Sequence, residues 1–221
     1  MTSADPTSID LCFPLQGAAA TTLPQDHGYP LYAALSHVLP ALHECRWLGV
    51  HPLSGQPDGS GGLVLTKPQL RLRLPLDRLR EVLPLAGRRL SLLSRPFTLG
   101  APIIHALAPA ATLDARLVLI RLTQLPQKDG ATDRPAMEAA FLAEAHRQLA
   151  ALGVTDATVT LQGCRSIEVK GQRLRGFSVR VAGLSADDSL ALQASGLGGK
   201  RAMGCGIFRP TRFKAPLGED A

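Results

Sequence analysis

The fold of this chain is decided near its carboxyl end by the stretch Gly196-Leu-Gly-Gly-Lys-Arg-Ala-Met-Gly-Cys-Gly-Ile-Phe-Arg-Pro210. The stretch holds five glycines, which permit positive φ angles and the close approach of another backbone. It follows a predicted helix, Ser185 to Ala194, and contains a predicted strand, Gly204 to Phe208. We therefore expect a tight loop that connects the last helix of the chain to its closing strand.

The same stretch carries groups that suit a phosphate. The peptide N–H groups of Gly196, Gly198 and Gly199 are expected to form a concave anion site, and Lys200 and Arg201 add cationic donors. A Walker loop is excluded because Arg201 stands where Ser or Thr is required. A Rossmann fingerprint is excluded because a helix precedes the glycines instead of a strand. A plain glycine turn is the alternative interpretation.

The elements before this loop give the second half of the chain a known order. They are a strand at Ala115 to Leu122, a polar loop at Gln124 to Arg134, a helix at Pro135 to Leu152, a strand at Thr155 to Leu161, and a hairpin of Arg165 to Lys170 and Gly176 to Val181. With the last helix and the closing strand, the order is strand, helix, strand, strand, helix, strand. This is the ferredoxin-like order.

The first half of the chain repeats that order without a detectable sequence repeat. Its predicted elements are a strand at Ile9 to Leu15, a helix at Pro30 to His43 that Pro40 ends or kinks near His37, a strand at Trp47 to His51, a loop at Pro52 to Gly62, strands at Leu63 to Leu65 and Gln69 to Leu74, a helix at Leu76 to Leu85, and a strand at Arg88 to Leu93. We predict an α+β protein of two tandem ferredoxin-like (RRM-like, βαββαβ) folds, with domains over residues 1–112 and 113–221.

Alternation in the strand Gln69 to Leu74 predicts which of its residues face the core. Leu70, Leu72 and Leu74 are expected to point inward, whereas Arg71 and Arg73 are expected to point to solvent. The strand is therefore predicted to be solvated on one face.

The positive charge of the chain is concentrated in its second half. Residues 161–216 hold ten Lys or Arg and only three Asp or Glu, whereas the whole chain carries +6. Part of this charge lies on the predicted hairpin, at Arg165, Lys170, Arg173 and Arg175. Such an excess suits a polyanion such as nucleic acid, and a solvated edge hairpin is the alternative interpretation. Because aromatic residues are scarce, we expect contacts with the backbone and shape of a structured RNA instead of base stacking.

Cysteine spacing and hydropathy exclude other classes of protein. Cys12, Cys45, Cys164 and Cys205 form no CxxC pair, so we expect buried, reduced thiols and neither a zinc site nor a disulfide framework. No apolar run approaches the roughly 18 residues of a membrane span. The polar N-terminus, without Lys or Arg before residue 10, does not resemble a secretory signal. We therefore expect no membrane association and a cytoplasmic location.

The glycine-rich stretch resembles the C-terminal signature of the CRISPR-associated protein 6 family, the endoribonucleases that cut the repeats of precursor CRISPR RNA. That signature is a basic, glycine-rich loop followed by a Gly-x-Gly strand that ends near a proline. Three N-terminal stretches resemble the Myxan-type branch of the family: Asp10-Leu-Cys-Phe-Pro-Leu15, Asp26-His-Gly-Tyr-Pro-Leu-Tyr-Ala-Ala-Leu-Ser-His37 and Leu48-Gly-Val-His-Pro52. The resemblance thus spans most of the chain.

The resemblance implies a reaction and a set of partners. Members bind the repeat hairpin of the precursor RNA and cut at its 3′ base, without a metal ion or other cofactor. The 2′-OH attacks the adjacent phosphate, which leaves a 2′,3′-cyclic phosphate and a 5′-OH. Many members stay on the product and join other subunits of a CRISPR interference complex. In several branches the catalytic histidine lies on the first helix.

Histidine suits both proton transfers of such a reaction near neutral pH. On the predicted first helix, His37 points away from the apolar stripe, whereas His43 falls near the border of the stripe. We therefore predict His37 as the catalytic residue and His43 as the second candidate. Ser166 is expected to help orient the nucleophile, as a serine does in one branch of the family.

Two other functions are compatible with the same residues. The chain fits a non-catalytic RNA-binding subunit of a CRISPR ribonucleoprotein complex, which shares the fold and the glycine loop without the chemistry. It also fits an unrelated basic scaffold protein with ferredoxin-like halves, because a fold alone does not determine function.

Overall fold

The structure is a computed structural model that describes residues 7–17, 21–43, 45–122, 127–128 and 131–211. In the first half, helices and strands follow in the order β1 (Ser8–Gln16), β2 (Thr22–Pro24), α1 (Gly28–Val38), β3 (Gly49–Val50), β4 (Gln56–Pro57), β5 (Gly62–Val64), β6 (Gln69–Pro75), α2 (Leu79–Val82), β7 (Arg89–Leu92), β8 (Arg95–Leu99) and β9 (Ile103–Ala106). Among the helices of these ranges, none has the combined length and apolar character that a membrane span requires.

The main sheet of this half has the ferredoxin-like order, but not with the closing strand that we predicted. β1 lies between β6 and β9, and β3 flanks β6, all in antiparallel pairs. The strand predicted at Arg88 to Leu93 is present as β7, but it does not close this sheet, since β7 pairs with β8 in a hairpin beside the end of β1. The hairpin turns through Leu93 and Ser94 at φ 51° and 63°. Glycine or asparagine usually supplies such angles, so Leu93 and Ser94 carry no recognisable turn signal.

The predicted loop Pro52 to Gly62 is also only partly a loop. β4 and β5 pair with each other, and β5 pairs with β2, so the three form a small sheet. In contrast, the effect of Pro40 is confirmed. α1 ends at Val38, and residues Pro40–Leu42 continue as one turn of 3₁₀ helix.

The second half forms a second ferredoxin-like sheet. Its elements are β10 (Thr112–Val118), β11 (Gln127–Lys128), β12 (Ala131–Thr132), α3 (Arg134–Ala151), β13 (Thr158–Val169), β14 (Gln172–Ala182), α4 (Ala186–Ser195) and β15 (Arg209–Pro210). β10 lies between β14 and β15, and β13 flanks β14. The α+β class and the tandem ferredoxin-like folds are therefore confirmed.

Differences from the predicted elements have local causes. The strands predicted at Thr155 to Leu161 and Arg165 to Lys170 are one strand, β13, with a register shift between Leu161 and Gly163. The closing strand lies at β15 instead of Gly204 to Phe208, because Gly204 and Gly206 have φ of 82° and 65° and bend the chain. The predicted loop Gln124 to Arg134 contains the short strands β11 and β12, which pair with each other, and its residues 124–126 and 129–130 lie outside the described residues.

The two halves bury separate apolar clusters. One draws its buried residues from positions 9–99 and the others draw theirs from positions 113–208. The domain boundary at residues 112 and 113 stays a prediction. Cys12 and Cys205 are buried as expected, but Cys164 on β13 is exposed, so the expectation of buried thiols is wrong for that residue.

Arg73 on β6 joins the two halves. The prediction that it faces solvent is wrong: it is only 1% exposed, because the second half covers that face of the sheet. Its Nε and Nη2 donate to the two carboxylate oxygens of Asp10 over 2.8 and 3.0 Å. Its Nη1 donates to the carbonyl oxygens of Gln193 and Phe208 in the second half.

Two arginines satisfy the carboxyl end of α4. Helix ends leave carbonyl groups without a partner and carry partial negative charge. Arg73 donates to Gln193 from the first half, and Nη2 of Arg201 donates to the carbonyl oxygen of Ala194 over 2.6 Å from the second half. The end of α4 and the glycine-rich stretch that follows it are thereby fixed against the first sheet.

Substitution of Arg73 by Met is expected to lower the free energy of unfolding by about 3–5 kcal/mol, because it leaves the buried Asp10 carboxylate without its main partner. Arg180 provides a matched control, since it pairs with Asp114 in the same two-bond geometry at 2.8 and 2.9 Å but is 40% exposed. Arg180→Met is expected to cost far less, because solvent screens an exposed ion pair. Urea unfolding of both variants measures the difference, and equal losses would contradict the bridging role of Arg73.

Candidate functional site

The amide groups of the glycine-rich stretch already have acceptors within the protein. Gly196 donates to Leu192 O over 2.8 Å, Gly198 to Oε1 of Gln148 over 2.8 Å, and Gly199 to Leu119 O over 2.9 Å. The prediction of an anion site made from these three amides is therefore wrong in this structure. Contact of the exposed Gly198 and Gly199 with RNA stays a prediction.

The glycines serve close packing of backbones instead. A Cβ at Gly196 would collide with the carbonyl oxygen of Gly206, and one at Gly206 would collide with the carbonyl oxygen of Leu197. A Cβ at Gly198 would collide in the same way with Leu119. The stretch is therefore folded onto itself and onto the end of β10 in a way that no other residue type permits.

Lys200 and Arg201 differ in their exposure. Lys200 is exposed and has a left-handed φ of 64°. Arg201 points inward to Ala194, and burial, helped by the charge of Arg73, lowers its pKa to about 10. Arg201 therefore stabilises the stretch, and Lys200 is the more exposed cation of the pair. A phosphate contact of Arg201 stays a prediction.

The hairpin of β13 and β14 presents its cations as predicted from the sequence. Arg165, Lys170, Arg173 and Arg175 are all exposed, and the turn at Lys170 and Gly171 has φ of 51° and 77°. Ile167 from this hairpin shares a buried cluster with Leu117 and with Cys205 from the glycine-rich stretch. The basic hairpin and Lys200 thus belong to adjoining parts of one surface.

Ser166 does not share a face of the hairpin with Ile167. Neighbouring residues of a strand point to opposite faces, and Ile167 is the residue that packs against the start of α1. Ser166 lies opposite Arg175 in the register. The structure therefore does not bring Ser166 to the side of the hairpin that α1 occupies, and its role in orienting the nucleophile stays a prediction.

The start of α1 lies against both RNA-binding candidates. A Cβ at Gly28 would collide with the carbonyl oxygen of Met203 and would lie 3.0 Å from Cδ1 of Ile167. Two residues before Gly28, a carboxylate oxygen of Asp26 accepts a hydrogen bond from the amide of Glu168 on the hairpin over 2.8 Å. His37 lies nine residues along the helix from Gly28, a rise of roughly 13 Å. A strand of RNA of a few nucleotides spans that distance.

Both candidate imidazoles are exposed at the carboxyl end of α1. His37 lies in the last turn of the helix, and His43 follows the 3₁₀ turn. The ring of His43 stacks on Tyr32, with centroids 6.0 Å apart, and Nδ1 lies 3.3 Å from the Tyr32 hydroxyl oxygen. Sequence reasoning missed Tyr32, because the contact depends on the chain turning back after Pro40. The contact with Tyr32 therefore restricts the orientation of the His43 ring.

His27 is excluded from proton transfer by its environment. Its Nδ1 donates to Pro24 O over 2.8 Å, and its Nε2 accepts the amide of Leu53 over 2.9 Å. Both nitrogens of the neutral ring are therefore occupied, and burial lowers the pKa of His27. This histidine joins the start of α1 to the end of β2 and to the segment between β3 and β4.

A basic cleft of about 700 Å³ separates the open faces of the two sheets. Its lining includes His51, Arg71, Arg73, His105, Arg116 and Arg209. The sequence did not reveal this cleft, because its walls come from strands that are far apart in the chain.

Asp10 and His51 lie buried at the base of this cleft. Burial alone raises the pKa of Asp10, but contacts with His51 and Arg73 outweigh it and hold that pKa well below its usual range. His51 is 3% exposed, and its Nε2 lies 3.4 Å from Oδ1 of Asp10 without hydrogen-bond geometry. Burial lowers the pKa of His51 to about 4, against the opposing effect of Asp10.

Comparison with known proteins finds one family along most of the chain. A family profile described as Cas6 Crispr matches residues 9–213. A CRISPR-associated endonuclease Cas6 from Myxococcus xanthus (strain DK1622) is 42% identical over 203 residues, which cover 91% of this chain and 81% of that protein.

Solved structures share the fold at low sequence identity. One described as a CRISPR associated protein Cas6 has a TM-score of 0.63 and 14% identity, with 93% of this chain and 100% of that chain covered. A Cas6-related protein from Pyrococcus furiosus has a TM-score of 0.61 and 12% identity, with 93% and 98% covered. These likenesses concern the tandem ferredoxin-like fold.

The lowered pKa of His51 predicts that the protein loses stability as the pH falls from about 7 to 4. In this range the unfolded chain, with a histidine pKa near 6.5, binds a proton that the folded protein does not. The contribution of Asp10 is not lost here, because its carboxylate stays charged in both states above about pH 4. In His51→Gln, the fall in the free energy of unfolding between these pH values, measured by urea unfolding, is expected to be smaller by on the order of 3 kcal/mol. A smaller fall caused by the buried His27 is expected to remain. His146→Gln, on the exposed face of α3, is the control, and an unchanged pH dependence in His51→Gln would contradict the prediction.

Proposed function

The chain belongs to the Cas6 family, and from that premise we propose that it is an endoribonuclease that cleaves the repeats of precursor CRISPR RNA. The observation that carries the proposal is the 42% identity, over nine tenths of the chain, to a CRISPR-associated endonuclease. The basic hairpin and Lys200 supply cations for the RNA backbone. The proposal places the protein in the cytoplasm with its RNA substrate.

The repeat RNA is proposed to lie across the adjoining basic surface. Arg165, Lys170, Arg173 and Arg175 are exposed on a two-stranded ribbon, which suits contacts with phosphates and 2′-hydroxyls of a hairpin stem. The strand that leaves the stem then passes Lys200 and the start of α1. Product retention and contact with other subunits of an interference complex belong to the same proposal.

The cleavage step is proposed to need no metal ion. An imidazole takes the proton of the 2′-OH, the 2′ oxygen bonds to the adjacent phosphorus, and the bond from phosphorus to the 5′ oxygen breaks. A proton returns to that 5′ oxygen, so the products are a 2′,3′-cyclic phosphate and a 5′-OH.

His37 is the first candidate for the proton transfer, and His43 the second. His37 has an exposed side chain at the end of α1 that faces away from the buried Leu31 and Leu35. His43 has the support of Tyr32, which fixes the direction of its ring. Both positions are compatible with an RNA strand that runs along α1 from Lys200.

Incubation of the purified protein with a repeat RNA tests the proposed function. The expected result is a single cut that persists in excess EDTA and leaves a cyclic phosphate. Treatment with acid, or with a phosphatase that acts on cyclic phosphates, identifies this end by opening it and changing the mobility of the product. A repeat RNA with a 2′-deoxyribose at the cut site is the matched control and is expected to bind but stay intact. Binding without cleavage of the unmodified RNA would favour a non-catalytic RNA-binding subunit, and loss of activity in EDTA would point to metal-dependent chemistry.

Replacement of His37 by Ala is expected to slow single-turnover cleavage by about 100-fold or more, because general acid–base catalysis contributes factors of this size. Binding of the repeat RNA is expected to change less than about twofold, since His37 carries none of the cationic contacts. His43→Ala and Tyr32→Phe are measured in parallel. Near-normal rates in His37→Ala, together with large losses in both of the other variants, would transfer the catalytic assignment to His43.

A further inference from the structure

The backbone amide of Gly198, in the glycine-rich stretch, is held by a side chain of α3. Three successive amides of the stretch are bonded, and two of them donate to backbone: Leu197 to Gly206 O and Gly199 to Leu119 O. The middle amide, that of Gly198, donates to Oε1 of Gln148 on α3 over 2.8 Å. Gly198 is exposed, so this bond lies at the outer end of the loop and not at its buried base.

Gln148 is itself held in one orientation. Its Nε2 donates to Oε1 of Glu144 over 2.9 Å, so its carbonyl oxygen is turned towards Gly198. Arg147 donates to both oxygens of Glu144 over 2.7 Å. Hydrogen bonds from Arg147 and Gln148 lower the pKa of Glu144 to about 2, so this carboxylate stays charged at neutral pH. Arg147, Glu144 and Gln148 of α3 thus form a connected set of hydrogen bonds that reaches the Gly198 amide.

The side chain of Gln148 contacts the glycine-rich stretch and is not part of the buried face of α3. The buried residues of the helix are Phe141, Ala145 and Leu149. Gln148 is half-buried and lies beside that stripe. Its amide group therefore adds little to the packing of α3 on the sheet, and its defined hydrogen bonds serve the orientation of Gly198.

Lys200 lies two residues beyond Gly198 and depends on the path of the loop. Its backbone has a left-handed φ of 64°, and its carbonyl oxygen accepts the amides of Met203 and Cys205. A rotation of the Gly198 peptide changes the direction in which the exposed Lys200 side chain leaves the backbone. The bond from Gln148 restricts that rotation at the outer end of the loop.

We propose that Gln148 is a positioning residue for RNA binding, which fixes the Gly198 amide and thereby aims Lys200 at a phosphate of the repeat. The proposal rests on the proposed function only for the identity of the ligand. The hydrogen bond itself restricts the loop in the free protein.

The test is a double-mutant cycle between Gln148→Leu and Lys200→Ala. Leu keeps the size of the side chain and removes the acceptor. Gln148→Leu alone is expected to raise the Kd for a repeat RNA by roughly 3- to 10-fold, the range that one hydrogen bond supplies, with little change in the cleavage rate at saturating RNA. In the Lys200→Ala background the same substitution is expected to change Kd less than about twofold, because the cation that it positions is already gone. Wild-type affinity in Gln148→Leu, or full additivity with Lys200→Ala, would overturn the proposal.

Hydrogen–deuterium exchange of residues 196–201 in the free protein tests the loop without RNA. Exchange is expected to accelerate in Gln148→Leu and to stay unchanged in Ala150→Leu, which places the same side chain on an exposed position of the same helix. Unchanged exchange in Gln148→Leu would overturn the positioning role, whatever the RNA results. A wild-type protein that neither binds nor cuts repeat RNA, with exchange altered as expected, would instead overturn the proposed function and the RNA role together.

Discussion

The relation between the two halves depends on the guanidinium group of Arg73. A charge with 1% exposure is costly unless each of its donors has a partner. Asp10 supplies two acceptors from the same sheet, and the carbonyl oxygens of Gln193 and Phe208 supply the others from the second half. Because these partners have fixed positions, the two sheets cannot separate or slide without leaving a buried charge unpaired. The cleft between them therefore has defined walls.

α4 transmits this constraint to the connection between the halves and to the glycine-rich stretch. The side chain of Gln193 donates to Ala108 O over 2.9 Å, and Ser189 accepts the amide of Ala110 over 2.9 Å. The connection from β9 to β10 is thus bonded along the helix. At the end of α4, Arg201 holds Ala194 O, and the chain continues directly into Gly196. One helix accordingly fixes the linker, the inter-sheet arginine and the start of the loop that carries Lys200.

Sequence patterns predicted what depends on neighbours along the chain. The inward-facing leucines of β6, the break at Pro40 and the basic hairpin all follow from local rules, and the structure has each of them. What the sequence did not show depends on distant residues. Alternation cannot reveal that the second half of the chain covers Arg73, and composition cannot reveal that the hairpin turn at Leu93 and Ser94 adopts positive φ without glycine. The stacking of His43 on Tyr32 has the same origin, since it needs the fold of the chain after α1.

The glycine-rich stretch shows why composition alone misassigned a role. Glycines permit both an amide nest for anions and close contact between backbones, and the sequence does not distinguish these uses. In this protein the second use accounts for Gly196, Gly198 and Gly206, whose missing Cβ atoms leave room for carbonyl oxygens. Their rigidity still serves binding, because a lysine on a loop that is bonded at three successive amides loses less freedom when it meets a phosphate than one on a mobile loop. In the proposed RNA complex, surface charge supplies the attraction, and the packed glycines and the side-chain amide of Gln148 set the direction of Lys200.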